Sequence, residues 1–314
     1  MSALAEQQKP FFFLIDFEQE DPVVCPIDKA EELGFYFEIK KFKNFKPKSF
    51  DDKPMNLSID PVPKSLYIKA YKKVIKEIYQ GNTFLLNLTF PSKIKTPLSL
   101  EYVFQIAKAP YKLHYKDQFV VYSPECFIKI INGYIYSYPM KGTIDASLHD
   151  AQKTLTNNTK EINEHNTIVD LIRNDLSRVA KEVKVTRFRY IDKIKTQKSE
   201  ILHTSSEIRG KLLKGWKKHL PEILLNMLPA GSICGAPKEK TVNIIREVEQ
   251  EKRGYYTGVF GFFDGENLDS AVNIRYLEKH QGEIRYRSGG GITSLSNLES
   301  EYNELIEKIY VPVI

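Results

Sequence analysis

Apolar side chains at Leu66, Ala70, Val74, Ile75 and Ile78 recur every three to four positions, so residues 65–79 predict an amphipathic helix that Gly81 ends. Elsewhere the pattern shortens to that of strands. Residues 11–17 and 34–42 read as strands, followed by a connection rich in lysine, proline and aspartate that runs to about Asp60. Strand patterns return at 83–90, 118–131 and 134–138, with a short helix at 98–107 between the first two. Residues 147–180 read as two helices, then 183–191 and 201–213 as strands. The last third predicts a helix after Pro237, strands at 255–263, 271–277 and 283–288, and a closing helix from Leu298. Strands arriving in runs between helices imply an α+β fold (α/β in the broad sense) with large, mostly antiparallel sheets.

Composition narrows the class. At 314 residues and 42% hydrophobic, the chain can bury a large core. A net charge of +6 is mild, and the lysines are spread along the whole chain. Aromatic and basic residues interleave at 40–48 without any nucleic-acid-binding motif, so a solvated lysine-rich surface is expected and no nucleic-acid partner. Three cysteines, Cys25, Cys126 and Cys234, have no paired spacing and predict neither a disulfide framework nor a zinc site. No apolar run approaches the roughly 18 residues of a membrane span and no signal peptide opens the sequence, so a soluble, cytoplasmic protein is expected.

Several segments carry chemistry. Lys141, between Pro139-Met140 and Gly142-Thr143, directly follows two strand patterns. Alone it reads either as a turn lysine or as an amine that burial deprotonates into a nucleophile. Glu125, in Ser123-Pro124-Glu125, lies sixteen residues upstream, and a hairpin would bring acid and amine to one pocket. Glu161 with Glu164, and Glu301 with Glu304, sit three apart on helical patterns, so each pair shares a face. Such pairs are either solvated faces or oxygen ligands for a hard divalent cation, and spacing does not separate Mg²⁺ from Mn²⁺. Two glycine-bearing segments, Gly231 to Lys238 and Gly289-Gly290-Gly291, read as turns whose N–H groups attract anions. The second precedes a capping-box pattern, Ser296 to Glu299. Arg275 offers a planar fork for a carboxylate or an internal acid. His203, between strand residues, reads as a core or a catalytic histidine.

Taken in order, these segments resemble the chorismate-utilising enzymes. The resemblance runs from about Tyr67 to Lys308. Its motifs are Glu125 and Lys141 with their neighbours, the run from Glu164 to Asp175, His203-Thr204-Ser205, Gly231 to Lys238, Tyr256-Thr257-Gly258, Ala271 to Arg275, the three glycines, and Glu301 to Glu304. It implies two large antiparallel sheets packed face to face with helices outside. It also implies that residues 63–314 form the chorismate-binding catalytic domain and that residues 1–62 are a shortened front segment lending strands to the same fold, without a tryptophan site.

Two positions separate the family's subgroups. Where the anthranilate, isochorismate and salicylate enzymes carry Ala, this sequence has Lys141, as aminodeoxychorismate synthases do. Where isochorismate-type enzymes carry a water-activating lysine, it has Leu85; aminodeoxychorismate synthases usually have Gln there. The resemblance therefore points to aminodeoxychorismate synthase component I, a transferase that makes 4-amino-4-deoxychorismate on the way to 4-aminobenzoate and folate. The alternatives are anthranilate synthase component I and a catalytically silent glutaminase-binding subunit. It implies Lys141 as nucleophile, Glu125 as acid and His203 near the ring hydroxyl. Mg²⁺ would be held by Glu161, Glu164, Glu301 and Glu304. Chorismate would be bound by Thr143, Gly235, Tyr256, Arg275, Gly289, Gly290, Gly291 and Lys308. The ammonia would come from a separate glutaminase subunit.

Overall fold

The computed structural model describes residues 1–48, 57–195 and 200–312, so residues 49–56 of the early connection lie outside it. Among the described residues the strands form two nine-stranded sheets. The first runs, in spatial order, Met140–Asp145, Glu200–Leu212, Tyr134–Ser137, Cys126–Ile131, Leu268–Val272, Val259–Phe263, Phe11–Ile15 and Val23–Pro26. Ala180–Lys195 also pairs with Glu200–Leu212. The second runs Gly235–Ala236, Leu85–Lys95, Glu283–Ile292, Tyr276–His280, Phe119–Ser123, Tyr111–Tyr115, Phe35–Ile39 and Phe42–Lys43, with Ser58–Asp60 on Leu85–Lys95. Their pairings are antiparallel, as expected from the strand runs.

Why two sheets pack together is visible in one aromatic layer. Phe12 and Leu14 of the first sheet meet Phe35, Phe37, Tyr111 and Phe119 of the second, all buried. Phe12 lies 4.8 Å from Phe37 and Phe42 4.0 Å from Phe262, ring centre to ring centre, so the sheets interlock through stacked rings. The opposite faces are covered by helices. Lys64–Tyr79 buries Ala70, Val74 and Ile78 of the predicted stripe together with Tyr67 and Tyr71, while Leu66 and Ile75 are only partly buried. Leu100–Ile106 covers the second sheet, and residues 147–180 resolve into Ala151–Asn157 and Thr159–Val179. A further helix, Leu220–Met227, had no clear signal beyond its apolar content. No helix among the described residues is long and apolar enough to cross a membrane, and the three cysteines are free.

Two of the expected strands are broken, and both breaks place functional groups. Residues 118–131 divide into Phe119–Ser123 of the second sheet and Cys126–Ile131 of the first. Pro124, which has no N–H for a ladder, makes the crossing, and Glu125 sits at it. Residues 271–277 divide likewise: Leu268–Val272 belongs to the first sheet, Tyr276–His280 to the second, and Arg275 turns the chain with φ +55°. Hydropathy does not reveal either crossing, because both strands stay in core on each side.

Candidate active site

Between the ends of the two sheets lies a cavity of about 560 Å³. The sheet crossings supply Glu125 and Arg275. The edge strand Met140–Asp145 supplies Lys141; it bulges between Lys141 and Thr143, which re-aims the lysine. The Thr204 hydroxyl donates to the Lys141 carbonyl and ties this strand to its neighbour. His203 and Tyr256 line the same cavity. Tyr256 arrives from a turn rather than the strand expected at 255–263, which begins only at Val259; Thr257 there has φ +58°. The cavity thus brings together Glu125, Lys141, His203, Tyr256, Arg275, Gly289, Gly291, Lys308, Glu161, Glu164 and Glu304.

The remaining expected residues stand differently. Gly290 and Glu301 are neighbours just behind the lining: a Cβ on Gly290 would lie 3.5 Å from Glu301 Oε2 and from Glu304 Oε1. The side chain of Thr143 lies outside the described residues. Gly235 does not line the cavity. It pairs with Leu86 at φ +131°, and a side chain there would run into the Leu85 carbonyl, so its role is to let two backbones touch. The three glycines are not a turn either: Gly289, Gly290 and Gly291 continue the strand Glu283–Ile292 opposite Thr89, Leu88 and Asn87. The cap of the last helix, Leu298–Glu307, is Asn297 accepting from the Ser300 N–H, one residue beyond the expected Ser296. Pro237 is the N-cap of Lys238–Glu249, the helix expected after it.

Electrostatics assign the charges. Burial pushes the Glu125 carboxyl above its ordinary value, opposed by a hydrogen bond from Ser232 Oγ to Oε1 and by Lys141, Arg275 and Lys308. Glu125 is therefore biased toward the protonated acid. For Lys141 the expectation of a burial-deprotonated amine is overturned. Burial does pull its pKa down, but Glu164, Glu161 and Glu125 together outweigh it and hold the ammonium above the usual lysine value. Nζ lies 3.3 Å from Glu164 Oε2. His203 is lowered by burial, partly offset by Asp192 at 3.9 Å, which favours the neutral ring. Burial lifts Tyr256 to about 12, so its hydroxyl stays a donor. Arg275 Nε is buried with no hydrogen-bond partner among the described residues, and its guanidinium lies 5.0 Å from the Tyr310 ring centre.

The helix Thr159–Val179 presents both glutamates of its first turns. Asn158 caps it by accepting from the Glu161 N–H. Farther along, Asp175 pairs with Lys238 at 2.6 Å, and Lys238 also donates to the Met227 carbonyl at 3.0 Å. This fixes the helix against the segment carrying Ser232.

Among the described residues no three acidic, histidine or cysteine side chains stand close enough to form a ready-made metal cage. The donors nonetheless fit a hard divalent cation, which takes one or two carboxylates and fills its shell with water and substrate oxygens. Space is left for it by missing side chains. A Cβ would come within 3.3 Å of Glu161 Oε2 at Gly142 and of Glu164 Oε2 at Gly291. Lys308, 2.6 Å from Glu304 Oε1 and 2.9 Å from the Gly289 carbonyl, compensates the second acidic pair.

Sequence reasoning passed over Ser232, Asn87, Arg287 and Tyr310, which also line the cavity. A period of two would have found two of them. Asn87 follows Leu85 on one strand face, and Arg287 precedes Gly289 on another.

The model of the family described as chorismate binding enzyme matches residues 7–313. An uncharacterised PabA-like protein of Pasteurella multocida is 56% identical over 309 residues, covering 98% of this chain and 95% of that protein. Aminodeoxychorismate synthase component 1 of Salmonella typhimurium is 36% identical over 197 residues, which is 60% of this chain and 42% of that one. The crystal structure of anthranilate synthase component I from Streptococcus pneumoniae superposes with a TM-score of 0.70 at 25% identity, over 83% of this chain and 60% of its own.

Proposed function

The chain belongs to the chorismate-binding enzymes, and within that family we propose that it converts chorismate and ammonia to 4-amino-4-deoxychorismate, with Lys141 as covalent nucleophile. The observation that carries this reading is the company of Lys141. A Cβ on Gly291 would touch Lys141 Nζ at 3.5 Å, Glu164 Oε2 at 3.3 Å and Leu85 Cδ1 at 3.0 Å. The amine thus has an anionic partner on one side and an aliphatic wall on the other, and Leu85 offers nothing that activates water.

In this reading the Lys141 ammonium, 3.3 Å from Glu164 Oε2, first gives its proton to solvent water, and Glu164 stays a carboxylate. The amine lone pair then adds to C2 of the ring. Both ring double bonds shift by one position, and the C4–O bond breaks as Glu125 protonates the departing hydroxyl. Ammonia adds at C4, the double bonds shift back, and the C2–N bond to Lys141 breaks. Arg275 and the Tyr256 hydroxyl face the cavity as donors for the enolpyruvyl carboxylate, and neutral His203 sits near the ring hydroxyl. A Mg²⁺ ion, when held by Glu164 and Glu304 with Glu161 and Glu301 beside them, supplies the positive charge that lets a ring carboxylate approach four glutamates. The ammonia comes from a glutaminase partner. Incubation with chorismate, Mg²⁺ and ammonium salt, followed by product mass analysis, tests the reading.

A further inference from the structure

Tyr310 lines the catalytic cavity at its mouth, in the stretch that follows the helix Leu298–Glu307, and takes no part in the steps assigned to Lys141 and Glu125. Burial alternates along this stretch. Ile309 and Val311 are buried in the core between the second sheet and the helix Leu100–Ile106, whereas Tyr310 between them is 45% exposed. The backbone is pinned at two points. The Tyr286 hydroxyl donates to the Tyr310 carbonyl at 3.0 Å, and the Lys108 N–H donates to the Pro312 carbonyl at 2.6 Å. A half-exposed tyrosine near a chain end is ordinarily a solvated side chain. This one is held with the Arg275 guanidinium over its ring, 5.0 Å from the ring centre. Arg275 is fixed as well, because its carbonyl accepts from the Tyr122 N–H at 3.2 Å. The ring contact leaves donor capacity unspent: Arg275 Nε is buried with no hydrogen-bond partner among the described residues.

We propose that Tyr310 is a specificity-determining cap on Arg275, whose ring shields from water the ion pair that Arg275 makes with the enolpyruvyl carboxylate; this rests on the reading of Arg275 as that carboxylate's partner. An ion pair open to water adds little to affinity, because solvent screens it and both groups keep their freedom. The same pair beneath a ring sits in a poorer dielectric and is stronger. The ring also holds the guanidinium in place before the carboxylate arrives, so less order is lost on binding. The cap acts on the flexible arm of the substrate and leaves the ring carboxylate to the acidic, metal-binding side of the cavity. It thereby favours ring acids that carry a second carboxylate on an arm.

The test is a set of chorismate affinities, measured by calorimetry with Mg²⁺ and without ammonia. Tyr310→Leu, which keeps apolar volume but no aromatic face, weakens binding about fivefold or more. The loss grows as salt is raised from about 0.05 to about 0.5 M, because the uncovered pair is screened. Tyr310→Phe restores the ring without its hydroxyl and rescues affinity to within about twofold. In an Arg275→Gln background, Tyr310→Leu costs less than about twofold more, since the cap then has no ion pair to cover. Thermal melting of each variant separates these effects from misfolding. Unchanged affinity in Tyr310→Leu, an equal loss in both backgrounds, or a loss in Tyr310→Phe as large as in Tyr310→Leu overturns the cap alone. Chorismate affinity unchanged in Arg275→Gln overturns the cap together with the reading of Arg275 beneath it.

Discussion

Lys141 Nζ stands 3.3 Å from Glu164 Oε2, so the candidate nucleophile and a candidate metal ligand form one buried ion pair. Neither charge is expendable in that setting, because removing one strands the other. Lys141→Ala is expected to lower aminated product by at least about a hundredfold while chorismate binding, followed by calorimetry, persists. Unchanged turnover would remove the covalent step.

Glu164→Gln is expected to weaken Mg²⁺ binding by about tenfold or more, since a carboxylate oxygen is replaced by a neutral amide. Isothermal titration with Mg²⁺ alone reads this without reference to activity. An affinity equal to that of the unaltered protein would take Glu164 out of the metal set.

Glu125 works as an acid in its protonated form, and burial raises its pKa. The fraction of Glu125 competent as acid is therefore full below that raised pKa and declines as pH rises through it, which places the Glu125 limb of kcat/KM above the ordinary carboxylate value of about 4.3. The Ser232 hydrogen bond lowers the same pKa, so Ser232→Ala moves the limb to still higher pH. A limb that does not move in that variant would separate Ser232 from the acid.

The acid and the arginine show what the sequence reveals and what it hides. The helix Lys64–Tyr79 follows directly from its apolar stripe, and the glutamate pairs follow from helical spacing. What hydropathy could not show is where the chain changes sheets. Glu125 and Arg275 lie within stretches that read as single strands, and only the pairing of distant strands separates those stretches into two layers. The glycines misled for a related reason. Gly289 to Gly291 look like a turn, but their lack of side chains serves a strand that must pass close to Glu164, Glu304 and Lys141. The charge of Lys141 was also hidden, because Glu161 and Glu164 of one helix and Glu125 of a sheet crossing converge on it.

Gly235→Ala is expected to lower stability by about 2 kcal/mol or more, from an unfavourable φ and a clash with the Leu85 carbonyl. Chemical denaturation measures it. A stability equal to the unaltered protein would mean that the Leu85 strand yields at no cost.

Leu85→Lys is expected to bring a second amine beside Lys141 and to divert part of the flux to a hydroxylated isomer of chorismate, seen by chromatography. Its complete absence with retained amination would show that the wall at Leu85 does not select the nucleophile.

The most direct measurement is the mass and retention of the product formed from chorismate, Mg²⁺ and ¹⁵N-ammonium. The account predicts 4-amino-4-deoxychorismate carrying the label, with the enolpyruvyl group retained, and its loss in Lys141→Ala. Fluorescent anthranilate as the labelled product, or isochorismate without label, would contradict it.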